Sequence, residues 1–187
     1  MADTGLRSFA ASSGDWYGAG GANAIDDNDA TLSQVFDFSG NPQTVYVSEL
    51  EGDDIPAGVT ITGVEIEIKS AYGPPNPTGG ITFTVQVSSD GPSGTFDTSE
   101  TSETMVRPKH TETFGSSTES WGVDFSGWTD ITNLAVKMIF TPGTTALFIA
   151  DMHEIRAKIY YTVVEPPHKV KILSGQTKIL GGKLIIK

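Results

Sequence analysis

The sequence predicts an all-β protein: an antiparallel, jelly-roll-like β-sandwich with an N-terminal arm and a short C-terminal β-strand tail. Three observations predict it. Val59–Lys69 (VTITGVEIEIK) and Glu154–Val164 (EIRAKIYYTVV) alternate apolar and polar residues, which sends one row of side chains into a core and the other into water. Glycine (21) and proline (10) join many Ser and Thr in cutting the chain into short runs, and no stretch shows the apolar period of a helix. Short strands joined by Gly/Pro turns, with no helices between them, pack as two antiparallel layers; a plain Greek-key sandwich is the next choice.

Residues 1–24 are small and polar with Gly18-Ala19-Gly20-Gly21 near their end, so no strand is expected before about Thr31 and the segment reads as an arm or loop. The sandwich then spans residues 25–164. Leu32–Phe38 and Thr44–Leu50 read as strands joined by the turn Ser39-Gly40-Asn41-Pro42, a hairpin. In Val59–Lys69, Val64, Ile66 and Ile68 share one parity, while Val59 and Ile61 have the other. A bulge at Thr62-Gly63 restores the inward face. Ile81–Val87 alternates again after the loop Gly73–Gly80. Ser88–Ser120 is a long excursion whose only alternating runs are Glu103–Arg107 and Thr111–Phe114. Leu134–Phe140, Ala146–Ala150 and Glu154–Val164 complete a set of about eight strands.

Beyond Glu165-Pro166-Pro167-His168 lies a distinct tail, residues 165–187. KILSG at Lys171–Gly175 returns as KILGG at Lys178–Gly182, and KLIIK follows from Lys183. Each run provides roughly 17 Å of strand, too little to bury its own aliphatic side chains. Val170, Ile172, Leu173, Ile179, Leu180, Leu184, Ile185 and Ile186 are therefore the expected oligomer or assembly contacts. The tail holds five Lys against one Glu, whereas residues 1–164 hold seven basic and 22 acidic residues within a net charge of −11. An acidic body repels phosphate backbones, so nucleic acid is not an expected partner, and the Ile/Leu content of the basic tail points to a packed strand surface.

There is no cysteine, hence no disulfide framework, thiolate metal site or Cys nucleophile. MADTGLRSFA has no apolar signal core, and no run approaches the roughly eighteen apolar residues of a membrane helix, so the expectation is a soluble chain made without a signal peptide and with no membrane partner. His110, His153 and His168 are far apart, and no nucleophile elbow, phosphate-binding loop or dinucleotide fingerprint occurs. The chain is not expected to be an enzyme. No cofactor is expected, with one candidate exception: Asp26, Asp27 and Asp29, flanking Asn28, offer the hard oxygen ligands that suit Ca²⁺, but without the spacing, central Gly and terminal Glu of an EF-hand. The alternative is a polar turn in which these side chains bond nearby amides. Trp16, Tyr17, Trp121 and Trp128 sit among Gly, Ser, Asp and Thr and are the candidate glycan contacts, since an apolar ring face beside polar groups is what a sugar requires; the alternative is that they anchor loops on the core.

Asp15-Trp16, Asn23-Ala24, the run Asp26 to Asp29, Ala30-Thr31, Phe36-Asp37-Phe38 and IPAGVTITGVEIEIK at Ile55–Lys69 together resemble a β-sandwich module of tailed-bacteriophage virion proteins. Gly122-Val123-Asp124, Leu134-Ala135-Val136 and AKIYYT at Ala157–Thr162 are similar to its closing strands, and the resemblance covers about residues 15–164. Val59 departs from it, replacing a usually small residue. The resemblance implies a virion part, of head decoration or tail-fibre type, and carries over no catalytic residue. The expected function is a capsid decoration (cement) protein, a homotrimer located in the virion that bridges capsomers by binding the major capsid protein or other virion proteins. The alternative is a tail-fibre or receptor-binding module that recognises host surface glycans.

Overall fold

The alternation of Val59–Lys69 is realised in a strand in which Val64, Ile66 and Ile68 are buried while Glu65, Glu67 and Lys69 face the other way. In this computed structural model the described residues are 1–17, 20–26, 31–37, 41–52, 55–72, 80–106, 108–126, 128, 130–143, 148–163, 177–180 and 183–186. The strands are β1 (Ala2–Asp3), β2 (Arg7–Gly14), β3 (Trp16–Tyr17), β4 (Ser33–Asp37), β5 (Gln43–Leu50), β6 (Val59–Tyr72), β7 (Ile81–Ser88), β8 (Ser99–Thr101), β9 (His110–Gly115), β10 (Ala135–Pro142), β11 (Phe148–Val163), β12 (Thr177–Leu180) and β13 (Lys183–Ile186). Short 3-10 turns occupy Ala22–Ala24 and Ile131–Asn133.

Among the described residues all pairings are antiparallel. One layer runs β3-β4-β11-β6-β9, with β1 beside the far end of β11; the other runs β2-β5-β10-β7-β8. Strand β2 ties the two together, because Arg7 and Ser8 pair with Ala157 and Arg156 of β11 whereas Phe9 to Gly14 pair with β5. Strands β4, β6, β9 and β11 lie in the first layer and β5, β7 and β10 in the second, so the chain repeatedly crosses the sandwich. This is a jelly-roll-like antiparallel β-sandwich. Between the layers, Val45, Val47, Phe83, Val85, Met138 and Phe140 meet Val35, Ile66, Ile68, Ile155 and Ile159. Phe83 touches Phe140 of its own layer at 5.4 Å between ring centroids and Phe114 of the other at 5.6 Å, which spans the core with one aromatic cluster.

The bulge expected at Thr62-Gly63 is present: Tyr160 pairs with Gly63 and Tyr161 with Ile61, leaving Thr62 as the extra residue. Three expectations are corrected. Residues 1–24 are not a strandless arm, because β1, β2 and β3 all pair within the sandwich and Phe9 is buried in its core. The expected hairpin between Leu32–Phe38 and Thr44–Leu50 does not form. Strand β4 pairs with β3 and β11 while β5 pairs with β2 and β10, so the link between them crosses from one layer to the other. The separate strands expected at Ala146–Ala150 and Glu154–Val164 are one strand, β11, in which His153 is a bulge between the pairs Met152–Ser70 and Glu154–Lys69.

Candidate functional site

Of the three tail runs, the second and third are strands. Strands β12 and β13 form an antiparallel hairpin in the register Ile179–Leu184 and Lys178–Ile185, and among the described residues they pair only with each other. Ile179, Leu180, Leu184, Ile185 and Ile186 therefore belong to a two-stranded sheet, while Val170, Ile172 and Leu173 lie outside the described residues. A lone two-stranded hairpin is marginal in water and gains stability by docking.

The body's last strand pairs Val163 with Val59, and Val163 is 61% exposed. Beside this pair is a hollow of about 370 Å³ with Val59, Ile61, Val123 and Phe125 in its wall. It shares Val123 and Asp124 with a second hollow of about 330 Å³ that adds Asp90 and Asp97. No Lys or Arg is among the described lining residues of either hollow. Asp124 accepts the Ser126 backbone N–H at 2.8 Å, an Asx turn that fixes the carboxylate at the junction. These hollows have no signature of their own in the sequence. Gly122-Val123-Asp124 was visible as a motif, but its neighbours come from β6 and from the loop after β7.

The aromatic candidates separate by burial. Trp121 is fully buried at a φ of 57°, and its indole N–H donates to the Val64 carbonyl at 2.9 Å, so it is a core anchor and not a sugar contact. Trp128 is half-buried against the core and packs on Phe125 at 5.2 Å, and Trp16 is also half-buried on the core. Gly21 lies so close to the Trp16 ring that a Cβ there would sit 2.5 Å from it. All three tryptophans pack on the core, as the loop-anchor alternative expects, but only Trp121 is wholly buried, whereas Trp16 and Trp128 keep part of their surface exposed. Tyr17 alone is exposed, at 57%, and lies 5.0 Å from Phe36 between ring centroids. Beside that pair Gln34 donates to Asp151 at 2.8 Å.

On the outer face of β6 and β11 the charges are paired. Lys69 and Arg156 flank the buried Glu154 at 3.4 and 3.3 Å, Arg156 also reaches Glu67 at 2.5 Å, and Lys158 meets Glu65 at 3.0 Å. Tyr160 donates to the other oxygen of Glu65 at 2.9 Å. Hydrogen bonding to Tyr160, and then to Glu65, raises the Lys158 pKa above its ordinary value. These contacts hold a solvent-facing ladder together and leave little of it free for a ligand.

Asp26 accepts the Thr31 hydroxyl at 2.8 Å, whereas Asp27 and Asp29 lie outside the described residues. Among the described residues no group of three His, Cys, Asp or Glu is placed to hold a metal ion. His153 faces the Thr31 carbonyl, 3.1 Å from Nδ1, and His110 contacts Glu112, 2.7 Å from Nε2. Among the described residues no helix is long and apolar enough to cross a membrane.

No protein-family profile and no curated protein matches the chain. Solved structures do. Chitosan-binding module 1 of a chitosanase/glucanase from Paenibacillus sp. IK-5 is 19% identical with a TM-score of 0.43, over 81% of this chain and 95% of that one. TmCBM61, solved with β-1,4-galactotriose, is 12% identical with a TM-score of 0.36 over 86% and 90%. A Broad Bean Stain Virus structure is 10% identical with a TM-score of 0.31 over 73% and 92%. Each of these likenesses has an identity below 20% and a TM-score below 0.5.

Proposed function

We propose that the protein is a non-enzymatic structural component of a tailed-bacteriophage virion, a capsid decoration protein that assembles as a homotrimer and binds between capsomers. The observation that carries this reading is the hairpin of β12 and β13, whose strands pair with nothing else among the described residues. Each Ile or Leu it buries on docking contributes about 1.5–3 kcal/mol, enough for several together to offset the ordering of the tail. The acidic body and basic tail favour contacts between copies or with an acidic shell over contacts with nucleic acid. The resemblance of residues 15–164 to virion modules supports the same assignment. Deleting residues 166–187 is expected to abolish trimer formation and capsid binding, measured by light scattering and by co-sedimentation with undecorated heads. A truncated protein that does both as well as the full chain rejects the reading.

A second reading, glycan recognition by a receptor-binding module, is favoured by the exposed Tyr17 against Phe36 with Gln34 and Asp151 alongside. A glycan array probed with the full chain and with Tyr17→Ala discriminates it. Binding lost in the variant supports recognition, and a blank array for the parent removes it.

A further inference from the structure

The hollows at the end of the sandwich and the unpaired hairpin have matching features. Strand β9 pairs with β6 only from Glu65 to Ser70, and the Val64 N–H is taken by the Glu119 carbonyl at 3.0 Å. From Val59 to Thr62, therefore, the edge of β6 away from β11 has no strand partner among the described residues. An unpartnered backbone edge beside an apolar wall is a template for an added strand. Here that edge is four residues long, and β12 and β13 have four residues each. The wall supplies Val59, Ile61, Val123 and Phe125, and the adjoining hollow supplies Asp90, Asp97 and Asp124. The hairpin sequences TKIL and KLII supply aliphatic residues for the first and Lys178 and Lys183 for the second.

We infer that this end of the sandwich receives the β12–β13 hairpin of a second copy of the chain, added as strands to the Val59–Thr62 edge of β6. The inference rests on the assembly role proposed for the tail and names its docking site. The occupant argued for is a second copy of the chain, whose tail carries the aliphatic residues and lysines that complement the apolar wall and the carboxylates of this end. Charge complementarity gives the contact its polarity: docking would bring Lys178 and Lys183 toward three carboxylates, and no Lys or Arg is among the described lining residues of either hollow.

Two measurements on the full chain test it. Asp97→Lys with Asp124→Lys changes exposed residues and is expected to weaken self-association at least about tenfold by sedimentation equilibrium, as is Lys178→Asp with Lys183→Asp. Combining all four should restore it to within about threefold of the parent. If the tail pair weakens association but the body pair does not, the docking site is overturned and the assembly role of the tail stands. If the tail pair has no effect, the assembly role itself fails. The chain has no cysteine, so Thr60→Cys with Ile185→Cys can be oxidised cleanly, and melting curves confirm that both variants are folded. A covalent dimer on a non-reducing gel supports the second copy. An internally crosslinked monomer, or no crosslink, overturns it.

Discussion

Trp121 shows how one residue can hold a loop to the core. Its φ of 57° lies in the left-handed region, which costs a non-glycine residue roughly 1–2 kcal/mol. Hydrogen bonds hold it there: the indole N–H donates to the Val64 carbonyl at 2.9 Å, its backbone N–H to Glu119 Oε1 at 2.8 Å, and its carbonyl accepts the Thr98 backbone N–H at 3.4 Å. Trp121→Ala removes a wholly buried ring and is expected to cost about 3–5 kcal/mol in urea denaturation. Trp121→Phe keeps most of the apolar volume but deprives the Val64 carbonyl of its indole donor, for an expected loss of about 1–3 kcal/mol. Equal midpoints for Trp121→Phe and the parent would show that the hydrogen bond contributes nothing. The sequence placed Trp121 correctly in a loop between Ser120 and Gly122. It could not show that the loop turns inward, because burial here depends on β6, more than fifty residues earlier.

The same division between local and distant information holds for whole elements. The Thr62 bulge was legible because Val59 and Ile61 break parity with Val64, a conflict confined to a few residues. Strand β2 was not, because RSFAASSG offers Phe9 as its only large apolar side chain and the small residues around it carry no readable alternation. The turn before Gln43 looked like a hairpin connection, yet turn chemistry says nothing about which layer the next strand joins. The bulge also leads to a test. An added Cβ at Gly63 would collide with the Ser116 carbonyl and the backbone of Ser117 and Thr118, whereas at Gly58, with φ 78°, it would meet nothing within 4 Å. Gly63→Ala is therefore expected to cost about 1–3 kcal/mol through overpacking. Gly58→Ala should cost only about 1–2 kcal/mol through backbone strain. If the two lose equal stability in parallel urea titrations and Gly63→Ala leaves the exchange of the Val64 amide unchanged, the close approach of the loop to β6 is refuted.

At the scale of the molecule the controlling feature is the separation of charge. Residues 1–164 carry −15 and residues 165–187 carry +4, and the hollows proposed to receive the tail present Asp90, Asp97 and Asp124. Two forces then act on assembly, and salt affects them in opposite senses. Screening shortens the reach of the lysine–carboxylate attraction, with a Debye length of about 10 Å at 0.1 M and about 3 Å at 1 M. Burial of Ile and Leu against Val59, Ile61, Val123 and Phe125 is left intact or strengthened, most clearly by sulfate. With both forces at work, raising sodium chloride from 0.05 to 0.5 M should weaken self-association roughly tenfold without abolishing it. Replacing chloride by sulfate at equal ionic strength should recover part of the loss. Sedimentation equilibrium across the two salts reads both effects. Association that does not change with sodium chloride would mean that the tail docks by its aliphatic residues alone and that the charge asymmetry has no part in assembly.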